Sequence, residues 1–184
     1  MRMLQLQVPI TVEYYDEENE VFIEPKYITL QLEHSLVSLS KWESKWNKAF
    51  FSKREKTPEE IMDYIKCMTI TQNVKPEVYD CLSRENVLQI QKYIEAPMSA
   101  TYFPEDKSGK PNRETVTSEL IYYWMIALNI PFDPCQKWHL NRLLMLIRVC
   151  NVKNQPPKKM SKRDIMRRNS ALNAARRNQL NTRG

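Results

Sequence analysis

Residues 156–184 hold nine Lys and Arg against a single Asp, about +8, while the whole chain of 184 residues carries a formal net charge of +6. Residues 1–155 are therefore slightly acidic, at about −2. Charge so divided predicts a two-part chain: a near-neutral body of one domain and a basic C-terminal arm that meets something outside it.

The body is long enough to bury one substantial core. Hydrophobic residues at 42%, with 10% aromatics, supply that core and argue against wholesale disorder. The longest apolar run, Leu120 to Leu128, is nine residues, far short of the roughly 20 needed to cross a bilayer. Cys67, Cys81, Cys135 and Cys150 form no CxxC pair and follow no secretory leader, which predicts reduced thiols in a soluble, cytoplasmic protein. Gly109 and Gly184 are the only glycines, so the glycine-dependent phosphate loops of dinucleotide and nucleoside triphosphate sites have no place here. His34 and His139 are the only histidines, and neither is spaced from another His, Cys or carboxylate as a ligand set would be. No catalytic residue, metal or cofactor is expected, and an enzyme is not the reading.

At the N-terminus, Leu4 to Val8 and Tyr27 to Glu33 alternate at period two, with β-rich stretches Ile10 to Tyr15 and Val21 to Ile23 between them. A small antiparallel sheet is expected over residues 1–34, with an acidic turn at Asp16 to Glu20 and strands kept short by Pro9 and Pro25. From Ser35 the period changes, and residues 35–155 are expected to form a helical body. Leu39, Trp42, Trp46, Ala49 and Phe50 fall on one helix face. Thr57-Pro58-Glu59-Glu60 is a helix start, with Ile61, Ile65 and Met68 expected inward. A short helix over Lys75 to Leu82 precedes one capped by Ser83, in which Val87, Ile90 and Ile94 share a side. The fold class is therefore α+β, mostly α.

Residues 96–114 are rich in Pro, Ser, Gly and charge and predict a mobile insertion. Thr117 or Ser118 then caps an apolar helix over Leu120 to Leu128 that is expected at the centre of the core, since it is apolar on every side. Asp133 and Pro134 begin a further helix running to about Val152, with Lys137, Asn141, Arg148 and Asn151 on a thin solvent stripe. His139 and Arg142 point away from that stripe and need partners, either inside the fold or on another chain. Trp42, Trp46, Trp124 and Trp138 read first as core; Trp42 or Trp46, if exposed, marks an interface.

In the arm, Ser161 and Asp164 make a capping-box variant, so a helix from about Lys162 to Leu180 is expected. Ile165, Met166, Leu172 and Leu180 form a sparse apolar stripe, with Arg163, Arg167, Arg168, Arg176 and Arg177 around the cylinder. So polar a helix forms fully only against a partner. Nucleic acid would use the cations as phosphate contacts but finds no aromatic residue to stack on. A membrane surface would need a wider apolar face. A protein partner with an acidic or helical surface fits best, and a solvated tail is the remaining alternative.

The segments Leu32 to Trp46 (LEHSLVSLSKWESKW) and Cys135 to Leu144 (CQKWHLNRLL), and the tail Lys158-Lys159-Met160-Ser161 with Arg167 to Arg177, together resemble tail assembly chaperones, small proteins encoded in the tail-gene region of long-tailed bacteriophages. The resemblance implies a non-enzymatic role in the cytoplasm of an infected bacterium. It implies the tape measure protein and tail-tube subunits as partners, with further copies of the chain left open. A structural component of the tail or baseplate hub is the alternative. A nucleic-acid-binding accessory protein comes third.

Overall fold

A computed structural model describes residues 3–10, 14–16, 21–23, 26–103, 114–154 and 161–181. The expected acidic turn, most of the Pro-rich insertion and Pro156-Pro157 lie largely or wholly outside the described residues. The architecture is mostly helical with a small antiparallel β part at the N-terminus. The chain divides into two compact units, Met1–Asn151 and Val152–Gly184.

Alternation of apolar and polar residues makes strands β1 (Leu4–Pro9) and β4 (Tyr27–Leu32) pair antiparallel, with Leu4 opposite Leu32, Leu6 opposite Leu30 and Val8 opposite Ile28. One face buries Leu6, Val8, Leu30 and Leu32; the other presents Gln5, Gln7 and Thr29 to solvent. A slip of one residue would exchange these faces, so the apolar pattern fixes the register. Strands β2 (Tyr14–Asp16) and β3 (Val21–Ile23) pair as a second antiparallel ribbon. Pro9 closes β1 opposite Tyr27, at the strand end where its missing N–H costs least.

Each helix start carries a side-chain cap where the sequence has Ser or Thr. Ser35 caps α1 (Leu36–Trp46) and exchanges hydrogen bonds with Ser38. Thr57 caps α2 (Pro58–Met68), with Pro58 in the first turn and Glu60 returning to the Thr57 amide at 2.9 Å. After the short α3 (Glu77–Asp80), Ser83 caps α4 (Arg84–Glu95) and Thr117 caps α5 (Ser118–Ala127). Two short-range features end α1: Trp46 is its last residue, and Asn47 takes the left-handed conformation, donating its amide to the Glu43 carbonyl. Ala49 and Phe50 therefore follow the helix rather than extend its face.

Among the described residues, two apolar clusters form the interior, and α1 contributes to both. Trp42 joins the cluster built on the β1–β4 pair with Tyr64, Ile65, Met68, Ile90 and Tyr93. Leu36 and Leu39 join the other, with Ile121, Met125, Leu140, Leu143 and Ile147. Phe50 packs against both. The Glu43 carboxyl sits at this junction and accepts from the amides of Phe50 and Ser118, each at 2.7 Å, tying α1 to the start of α5.

Three expectations are corrected. The predicted helix from Pro134 to Val152 is broken into α6 (Phe132–Cys135) and α7 (Leu140–Asn154). Asp133 is extended, and the backbone at 139–140 leaves the helical path to pair with residues 34–35; the Leu140 amide donates to the His34 carbonyl at 2.8 Å. Tertiary pairing there outweighs continuation of the helix. Asn141, placed on the solvent stripe by periodicity, instead donates its side-chain amide to the carbonyls of Ile94 and Ala96, satisfying the open end of α4. Ile61 and Val87 are exposed, whereas Glu60, Asp63 and Tyr64 of α2 are buried because the neighbours of α2 lie on that arc.

Candidate interaction surfaces

Ser161 starts the arm helix α8 (Lys162–Leu180) by accepting from the Asp164 amide, and Asn181 ends it in the left-handed conformation. The Ser161 hydroxyl also donates to the Asp164 carboxyl at 2.6 Å. Asp164 in the first turn and Arg177 in the last complement the helix dipole. No residue of α8 is buried. Ile165, Met166, Leu172 and Leu180 are all exposed, Met166 by 75%, and Arg163, Arg167, Arg168, Arg176 and Arg177 surround them. All nineteen residues are helical although none is buried, so the helix rests on its caps and intrinsic propensity.

The other sequence-predicted contact residues sit in the body and do not join one surface. Trp42 is buried at 1% exposure, and its indole N–H donates to the Glu60 carbonyl at 2.8 Å. Trp46 is half-buried and donates to Asp63 Oδ2 at 2.9 Å, and Lys45 pairs with the other oxygen of that carboxyl. Lys48 reaches Glu60 Oε1 at 2.6 Å. Lys48 and the Thr57 amide hold the Glu60 carboxyl below the usual carboxylate range. Both indole N–H groups are thus satisfied by their own chain; burial makes Trp42 a core residue, whereas part of the Trp46 ring stays accessible.

His139 is corrected in the same sense. It is buried, Nε2 donates to the Tyr93 carbonyl at 2.9 Å, and Nδ1 accepts from the Asn141 amide at 3.3 Å. Its ring stands edge-on to Tyr93 and lies 5.1 Å from His34, whose Nδ1 is 2.6 Å from the Tyr64 hydroxyl. Burial, with His139 alongside, pushes His34 down to about 3; burial also lowers His139. The pair is a neutral, buried polar link between two chain segments. Arg142 is exposed and stacks its guanidinium over Trp138 at 4.3 Å, so its partner is an aromatic face of its own chain.

One surface escapes sequence reading. The helix α5, expected at the centre of the core, buries Ile121 and Met125 but leaves Tyr123 and Ile126 exposed at 62% and 63%. Phe132, at the start of α6, is also exposed and stacks edge-on with Tyr122 at 5.4 Å. Polarity cannot separate the two faces, since Ile121 and Ile126 are chemically identical; only the neighbours do. Among the described residues, open clefts lie in the body. One of about 370 Å³ is bordered by Glu43, Asn47, Lys48, Thr117 and Glu119, and one of about 300 Å³ by Glu33, Lys41, Cys67, Ile70 and Lys137. Burial raises the Glu33 carboxyl and the Cys67 thiol, the latter a direction that disfavours a thiolate nucleophile.

Among the described residues, no group of three or more His, Cys, Asp or Glu side chains is placed to hold a metal ion, and no helix is long and apolar enough to cross a membrane. Comparison with protein families, curated proteins and solved structures gives no match to this chain.

Proposed function

We propose that this chain is a non-enzymatic protein of long-tailed phage morphogenesis, a tail assembly chaperone. It binds the tape measure protein in the cytoplasm of the infected bacterium and aids the assembly of tail-tube subunits around it. The observation that carries the reading is α8: a helix capped at both ends, nineteen residues long, with no residue buried and an apolar stripe set among arginines. A helix of that composition is best accounted for by contacts to another macromolecule. The uncovered apolar face of α5, with Tyr123 and Ile126, offers a second place where a client's apolar helix could lie. The phage setting comes from the resemblance of the Leu32 to Trp46, Cys135 to Leu144 and arm segments.

The test is composition. Mass spectrometry of purified mature virions is set beside that of infected-cell lysate. Abundance in lysate with absence from particles supports a chaperone that departs when the tail is complete. A fixed copy number in particles overturns it and makes the chain a structural tail or baseplate-hub protein.

A further inference from the structure

We infer that α8 docks through one face only, the face of Ile165, Leu172 and Arg176, and that the element it docks against is an acidic amphipathic helix of a partner protein. The inference rests on the preceding reading in taking α8 as the binding element, and it adds the face and the partner's chemistry.

Ile165 and Leu172 stand seven residues apart, which on an α-helix is two turns, so they lie one above the other on a common line. That spacing is the repeat of a helix-on-helix seam, in which every seventh residue meets the partner. Arg176 falls beside this line, four residues past Leu172, whereas Arg163, Arg167 and Arg177 project from the opposite half of the cylinder. Ile165 and Leu172 are also the less exposed of the stripe, at 44% and 48% against 75% for Met166. The result is a narrow apolar seam with a cation on its edge.

Charge decides the occupant. Six Lys and Arg against one Asp give α8 a net charge of about +5. Pairing with α8 of a second copy would set two such charges side by side at helix-packing distance, an arrangement that like-charge repulsion opposes. A membrane surface would need an apolar arc with aromatic anchors, but Arg176 and Asn169 interrupt the seam and α8 contains no aromatic residue. An acidic helix satisfies both features at once, its own apolar heptad residues covering Ile165 and Leu172 and its Glu or Asp facing Arg176.

The experiment titrates the full-length protein into a fluorescently labelled acidic peptide about three heptads long, with Ile and Leu at the seam positions and Glu beside them. Anisotropy is read at low and moderate salt. The expected result is saturable binding that survives moderate salt. It weakens roughly tenfold or more in I165A/L172A and by less than about threefold in R163Q/R167Q/R177Q, which removes three charges from the far face. Alanine favours helix, so circular dichroism of I165A/L172A should match the parent and exclude loss of α8 as the cause. Absence of binding to the peptide overturns the inference. So does equal weakening by the two variants. A third overturning result is preferential binding of a single-stranded oligonucleotide with a steep loss of affinity on adding salt, which is the behaviour of phosphate contacts spread round the helix. Virion composition is silent on all of these, so the assembly reading and this one can fail separately.

Discussion

Helices α2 and α8 begin with the same chemistry and come to different ends. Thr57 and Ser161 each accept from the amide three residues on, at 3.2 Å and 3.1 Å, and each is followed by an acid at that position. From there α2 buries Glu60, Asp63, Tyr64, Ile65 and Met68 in eleven residues, and α8 buries none in nineteen. A cap therefore sets where a helix starts, while burial decides whether the helix holds the protein together or is offered to a partner. The same polar devices that serve as reinforcement in the body are nearly the whole support of the arm.

The comparison breaks most decisively if large truncations fail to separate the two regions. Trp42→Ala removes a fully buried indole with a satisfied N–H and should lower unfolding free energy by about 3–5 kcal/mol in a denaturant titration. A loss below about 1 kcal/mol would mean that the body does not depend on the packing described. The next effect in size belongs to pH. Folded His34 titrates near 3 and an unfolded histidine near 6.5, so the unfolded chain takes up the proton first. Stability is complete above the unfolded value and falls as pH drops through 6.5 toward 3. At pH 5 the His34 contribution is a loss of about 2 kcal/mol, and His139, shifted in the same direction, adds to it. Unfolding curves collected from pH 7 to pH 5 check this; coincident curves would refute the buried neutral pair. Helix α8 carries no histidine, so its helicity should not follow this titration.

Capping substitutions sharpen the contrast at smaller amplitude. Thr57→Ala should cost about 1 kcal/mol of global stability. Ser161→Ala should leave the global transition in place and reduce only hydrogen-exchange protection within residues 162–180. Smallest of all, Leu172→Ala should change unfolding free energy by no more than about 0.5 kcal/mol, because its side chain is exposed. A larger loss would show that α8 packs on something in the isolated protein.

Much of this was legible locally. Thr57 with Glu60, Ser83, Thr117 and Ser161 with Asp164 are short-range signals, and each helix starts where its cap stands. The alternation in Leu4 to Val8 and Tyr27 to Leu32 specified two strands with an inward face. Of the candidate contact residues, those in the arm are exposed as periodicity and charge require. Trp42, Trp46 and His139 were ambiguous in sequence because an indole or imidazole serves equally well as a buried donor and as a contact; Glu60, Asp63 and Tyr93, which complete their hydrogen bonds, come from distant parts of the chain.

What the amino-acid order determined by itself is whatever rests on neighbours a few residues apart: cap positions, strand alternation, the partition of charge between residues 1–155 and 156–184, and the thin stripe of α8. Only the tertiary structure decided which side of α5 is covered, why Asn141 faces the end of α4, and why the chain leaves its helical path before Leu140 to pair with His34. The physical reason is one of range. Hydrogen bonds within a turn are set by adjacent residues, but burial of an apolar face, or satisfaction of a backbone carbonyl 46 residues away, depends on which element arrives beside it.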